Sequence, residues 1–391
     1  MKQREFIALA ASSMILTALG IDIMLPAFAA LRGHFGLPAD SAATANIVMF
    51  FFMGQMTQLL FGLFSDRFGR LPTLRIGFPL YIIGGVASAF APTMPMMYVA
   101  RFIGGVGASA VFSTTMAVVR DRYAGDEMAR VMSLIFTVFL FTPVVAPFLG
   151  SAILQIASWQ WVFLTPPLFA VIVFLWSFRL PESLPVSART ALQWGTVGQS
   201  IKVIMTNTTF LRYTAITTLL FGSFSTYISS SERIIGEFYS KPQLFSWIFG
   251  GIGLLMASAT FVNARLASRF GARRTLQLLL IFYNVVAALL CVITLVSGNK
   301  PHLGVFVGGM AVLASLNLAI SPNSSAMAME PLGNQAGLAS AMYGTVYFLF
   351  GSLIGTVING MLTDHILPFV AGFLFSGLGS LVLAGIILPK K

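Results

Sequence analysis

Twelve apolar runs, each long enough to cross a bilayer, dominate this chain. They lie near residues 5–30, 43–65, 73–91, 95–119, 128–155, 159–178, 209–231, 243–264, 275–298, 303–327, 336–362 and 367–388. A run of about 20 residues at about 1.5 Å each matches a hydrocarbon core about 30 Å thick. Backbone polar groups in lipid must be satisfied within the segment, and a helix does this for each run on its own. The chain is 57% hydrophobic and only 9% charged, far from the balance of a soluble domain. The sequence therefore predicts an all-α membrane protein with about twelve transmembrane helices.

The longest polar interruption runs from Arg179 to Asn207 and carries Glu182, Arg189 and Lys202. It divides the chain into an expected six-helix bundle over 1–180, a cytoplasmic central loop over 181–207 and a second bundle over 208–391. Eighteen of the 23 Lys and Arg fall on one side of this topology, four on the other, and Arg101 lies within a span. The excess of basic loops sets both termini in the cytoplasm, so the charge of +11 reflects topology and no nucleic-acid partner is expected. Lys2, Arg4 and Ala27-Phe28-Ala29 also admit a signal peptide, but the length of the first run, its Asp22 and the later spans favour its retention. Cys291 stands alone, and His34, His302 and His365 lie in separate loops, so neither a disulfide framework nor a metal site is expected. With no phosphate-binding loop and no paired catalytic carboxylates in the spans, we expect neither a cofactor nor an enzyme.

Residues 65–74, SDRFGRLPTL, align without gaps to 267–276, ASRFGARRTL, each between the second and third helix of its half. Such parallel repeats are a transporter architecture with the substrate site near mid-membrane, and predict two pseudo-symmetric bundles.

A carboxylate in hydrocarbon costs about 2.5–3.5 kcal/mol on the insertion scale, and by default marks a functional site. Asp22 is such a group. Its expected partner is Arg101 in the fourth span, at a similar depth below the outer surface by residue count. Burial disfavours the charged form of a carboxylate and a neighbouring cation favours it, so Asp22 is read as a proton site. The bland alternatives are a fixed ion pair, or a solvated Asp22 where Gly20 and Pro26 loosen the helix.

The loop GLFSDRFGRLPTL, residues 62–74, resembles the signature of the major facilitator superfamily between helices two and three, G-x-L-x-D-R-x-G-R-R/K. Gly62, Asp66, Arg67, Gly69 and Arg70 match, while Phe64 and Leu71 depart from it. Glycine permits a tight turn and Asp66 can accept hydrogen bonds from arginines or helix amides, so the segment is read as a conformational latch. GIDIMLPAF, residues 20–28, resembles the first-helix motif of drug/proton antiporters, with Asp22 as its acid. RFIGGVGAS, residues 101–109, resembles the fourth-helix motif through Arg101, Gly105, Gly107 and Ala108. TPVVAPFLGS, residues 142–151, is similar to the fifth-helix antiporter motif through Pro147 and Gly150, with Pro143 beside them. With VVRDRYAG and SPNSSAM, the pattern resembles the Bcr/CflA group, which includes bicyclomycin and amphenicol exporters.

The resemblance implies proton-coupled efflux of small amphipathic molecules by alternating access, in the bacterial inner membrane, with protons and a small-molecule substrate as partners and a monomer as the working unit. Asn46, Phe50, Phe224, Tyr227, Asn317, Tyr343 and Tyr347 are the candidate cavity wall. The alternatives are an exporter of a siderophore, peptide or other metabolite, a nutrient importer, and a receptor or scaffold with a non-transporting fold.

Overall fold

The computed structural model describes residues 1–189, 194–362 and 365–385. Part of the expected central loop, 190–193, and the end of the last expected span, 386–388, lie outside these. Twelve long helices or near-continuous helical spans follow in order: α1 Gln3–Asp22, α2 Ala43–Phe68, α3 Arg70–Ala89, α4 Met94–Arg122, α5 Gly125–Ile156, α6 Trp159–Ser177, α7 Thr208–Arg233, α8 Phe245–Phe270, α9 Ala272–Val296, α10 Leu303–Met329, α11 Ala336–Met361 and α12 Leu367–Ala384. Eleven of these segments are long and apolar enough to cross a membrane; α7 is the exception. The chain forms two compact units, Met1–Gly36 with Phe50–Val197, and Leu37–Met49 with Gly198–Lys391.

In the first unit small residues set the helix spacing. A β-carbon at Gly107 on α4 would lie 2.2 Å from the backbone nitrogen of Tyr81 on α3, and one at Gly105 would lie 2.1 Å from the carbonyl oxygen of Phe51 on α2. The fourth-helix glycines are therefore a packing surface for two neighbours at once. The first span is not one continuous helix over 5–30. It ends at Asp22, passes through a 3-10 turn at Leu25–Ala27 and resumes at Phe28–His34. Pro26 within that turn has no N–H to donate to a helical ladder.

The second unit is built around α7, whose buried face is rich in Ser and Thr. Their hydroxyls return to carbonyls of their own helix, as Thr218 does to Thr214 and Thr226 to Gly222. Others cross to neighbours: Asn359 of α11 donates to Ser229 Oγ at 2.9 Å and accepts from Ser230 at 2.5 Å. Glu232 and Arg233 at the end of α7 are also buried, and Arg233 donates to the carbonyls of Asp40 and Leu362. Arg233, just past the expected span 209–231, is thus a cation buried within the protein.

The sequence repeat is also a repeat of geometry. Gly69, at φ 109°, ends α2 and begins α3, and Gly271, at φ 79°, does the same between α8 and α9. Side chains rarely adopt that backbone. In each copy an arginine lies over the neighbouring phenylalanine, Arg67 over Phe68 at 5.2 Å and Arg269 over Phe270 at 5.3 Å.

Candidate transport site and latch

Asp22 is the last residue of α1 and is 5% exposed. Arg101, 4% exposed, lies one helix away but does not pair with it. Its Nη2 donates instead to the carbonyl of Gly20 at 2.5 Å, and its guanidinium lies 4.4 Å from the centre of the Phe51 ring. Among the described residues no hydrogen bond or ion pair reaches the Asp22 carboxylate, and Nε of Arg101 has no partner. The expected neighbourhood is therefore present and the expected contact is not. Gly20 of α1 packs against Phe51 and Tyr81, whose hydroxyl donates to the carbonyl of Leu16 at 2.7 Å. Phe51 and Tyr81 carry no sequence signal, being two aromatics among many in apolar runs.

The fifth helix meets α1 at its break. A β-carbon at Gly150 would lie 2.0 Å from the carbonyl oxygen of Ile23 and 3.4 Å from Pro26. Pro147 and Gly150 are buried on this helix and Pro143 is half-buried.

At the α2–α3 join two of the predicted latch residues, Asp66 and Arg70, meet in a polar cluster. Arg70 donates to Asp66 at 2.5 Å, to Ser65 at 2.9 Å and through two nitrogens to Asp121 at 2.8 and 3.2 Å. Arg67 is exposed, Gly69 is buried and Gly62 is half-buried on α2. Two acids join this cluster that the sequence had not tied to it. Asp121, at the end of α4, is the main partner of Arg70, and Glu182 accepts from the backbone N–H of Arg70 and Leu71 at 3.0 and 3.1 Å. Those amides open α3 and have no partner within the helix, so a carboxylate there satisfies both donors and faces the positive end of the helix dipole. Burial alone pushes the Glu182 carboxyl up, but the amides of Leu184, Leu71, Arg70 and Ser183 outweigh it and hold the group below the usual carboxylate range. The available signal was a single acid among Arg179, Arg189 and Lys202 in the polar interruption.

The candidate wall residues divide. Phe50 stacks on Tyr98 at 4.9 Å. Tyr227 is stacked between Phe224 and Phe249 at 6.1 and 5.6 Å, while Tyr347 stacks on Phe221 at 4.2 Å and on Tyr343 at 6.0 Å. Asn46 is half-buried. Asn317 is 3% exposed and donates to the carbonyl of Leu220 at 2.7 Å, holding α10 to α7.

The family model described as Major Facilitator Superfamily matches residues 10–349. The chain belongs to this superfamily. Among its relatives, a bicyclomycin resistance protein homolog of Haemophilus influenzae is 25% identical, over 90% of this chain and 88% of that protein. A chloramphenicol resistance protein of Pseudomonas aeruginosa is 27% identical, over 90% and 82%. The crystal structure of a D-xylose-proton symporter superposes with a TM-score of 0.79 at 14% identity, covering 99% of this chain and 98% of that one. This major facilitator chain is thus a multi-pass membrane transporter, not an enzyme, with antibiotic-resistance proteins among its relatives.

Proposed function

We propose that the protein exports small amphipathic molecules, amphenicol-type antibiotics among them, in exchange for protons. It does so by alternating access, as a monomer in the bacterial inner membrane with both termini cytoplasmic. The observation that carries this reading is the buried Asp22 at the break in α1, with the Arg101 guanidinium held two residues away on the carbonyl of Gly20. Asp22 takes and releases the proton, and Arg101 supplies a cation whose spare donor can meet a substrate acceptor. Proton entry and substrate binding at this place exclude each other, which couples them. Relatives named for bicyclomycin and chloramphenicol resistance support the substrate class and the outward direction.

The driving force suffices. A proton crossing about 100 mV of potential releases about 2.3 kcal/mol, and each unit of pH difference adds about 1.4 kcal/mol. The aromatic stacks at Phe50, Phe224, Tyr227, Tyr343 and Tyr347 give apolar faces with few directed hydrogen bonds, which suits amphipathic ligands, and the half-buried Asn46 is a polar candidate beside them. The cluster of Asp66, Arg70, Asp121 and Glu182 acts as the latch between conformations, with Gly62, Arg67 and Gly69 shaping its turn.

The test is drug-induced proton flux in proteoliposomes, using amphenicols and a few cationic and zwitterionic drugs. Flux that disappears in Asp22→Asn and falls in Arg101→Ala is the expected result. Transport that keeps its full pH coupling in Asp22→Asn moves the proton site elsewhere. Absence of flux with every drug makes a metabolite exporter the better reading.

A further inference from the structure

We propose that the groove between α8, α9 and α10 is a binding site for an anionic glycerophospholipid, one acyl chain lying in the groove and the phosphate at Arg265 and Arg269. The groove has a volume of about 470 Å³ and is lined by Leu255, Val262, Leu266, Phe282, Val312 and Ala319 among others. Leu255, Val262 and Phe282 are each more than half exposed, at 55%, 54% and 52%, within helices apolar enough to span the membrane. Lipid is therefore the medium at its mouth. Its one amide, Asn263, is buried and accepts from Asn323 at 2.6 Å, and Ser258 donates to the carbonyl of its own helix at 2.9 Å, so the exposed lining is mostly apolar and matches an acyl chain.

The length fits a single leaflet. From Leu255 to Leu266 the lining advances eleven residues along α8, about 16 Å at about 1.5 Å per residue, close to half of a core about 30 Å thick. The lining positions 255, 259, 262 and 266 recur at helical spacing, and Arg269 is the next residue on that face. The apolar track therefore runs into a cation.

The charge there lacks an internal counterpart. Arg265, Arg269, Arg273 and Arg274 are all exposed around the Gly271 join, and Arg269 and Arg274 lie 5.3 and 5.9 Å from the Phe270 ring. No Asp or Glu occurs between Glu237 and Glu330, and among the described residues none of these arginines has an ion pair. In the first repeat Asp66 answers Arg70; the aligned positions in the second are Ser268 and Ala272. The second join carries Arg269 in the place of Arg67 and arginines at 273 and 274, but no acid. Basic pockets between helices at a membrane surface are sites for anionic headgroups.

The full chain, purified and delipidated, is titrated with phosphatidylglycerol and phosphatidylcholine and read by native mass spectrometry. One arginine near a headgroup is worth about fivefold in affinity, so the wild type should prefer phosphatidylglycerol by about 25-fold. Arg265→Gln with Arg269→Gln should abolish the preference, and Lys at both positions should restore most of it. Gly308→Leu, at a lining position with open space around its β-carbon, should lower retention of both lipids. Quenching of Phe282→Trp by brominated-chain phosphatidylglycerol, beyond that of the native tryptophans, reads groove occupancy without that variant. Equal retention of the two lipids by wild type, or a preference untouched by the Gln pair, overturns the headgroup site. Absence of added quenching at position 282 overturns the acyl groove.

Discussion

The α-carbon of Gly150 faces the carbonyl of Ile23 so closely that an added β-carbon would stand 2.0 Å from that oxygen. The fifth-helix glycine thus seats α5 against the one place where α1 loses its helical ladder, next to Asp22. Gly150→Ala should already separate the helices, and Gly150→Val should cost about 1–3 kcal/mol through overpacking. Thermal unfolding in detergent checks this against Gly308→Ala, whose β-carbon meets open space and should leave the midpoint within error.

Tyr81 and Gly20 should be energetically coupled. A β-carbon at Gly20 would lie 2.7 Å from the Tyr81 hydroxyl oxygen. Tyr81→Phe loses the bond to Leu16, about 0.5–1.5 kcal/mol, and removes the atom that excludes a methyl group. Gly20→Ala should therefore be less damaging in the Tyr81→Phe background, a non-additivity of about 0.5 kcal/mol or more. Strict additivity in a double-mutant cycle would contradict the packing described.

Glu182→Gln should weaken the start of α3 by about 0.5–2 kcal/mol, the range for a lost helix cap. The folded carboxyl titrates below its ordinary value, so its contribution is present above the unfolded value, about 4.3, and is lost as pH falls through the folded value. Wild type and variant should therefore differ at pH 7 and converge in acid. Stability measured across pH 3 to 7 decides it; a gap that widens toward acid would sink the cap.

Asn359→Leu should loosen α11 from α7 by about 0.6 kcal/mol per bond lost, the average for interhelical hydrogen bonds in membranes, and by no more than about 1.7 for either. Asn359→Asp should fare worse by placing a carboxylate at a site that is 1% exposed. Unfolding in mixed micelles separates the two variants.

The helical architecture was legible because hydrocarbon allows few ways to satisfy a backbone. The depths of Asp22 and Arg101 followed from counting along helices. Their contact did not, because hydrogen-bond partners depend on rotation about the helix axis, and Arg101 reaches the carbonyl of Gly20. The break after Asp22 was signalled by Pro26, yet Pro79 sits inside α3 without ending it. Glu182 was hidden for another reason: its partners are backbone amides, which no residue type announces. Asn317 has the polarity of a ligand-facing group, but it holds two helices together.

The polarity of α7 bears on how the protein is made. This helix relies for partners on α10, α11 and α12, through Asn317, Asn359 and Ser380, and all three are synthesised after it. When α7 leaves the ribosome these three helices do not yet exist, and of the two carbonyls that Arg233 meets, that of Asp40 is already made and that of Leu362 is not. Lipid is then a poor solvent for it, so a chain truncated after α7 should hold that helix less securely in the bilayer than the full chain does, which glycosylation mapping of the two would show.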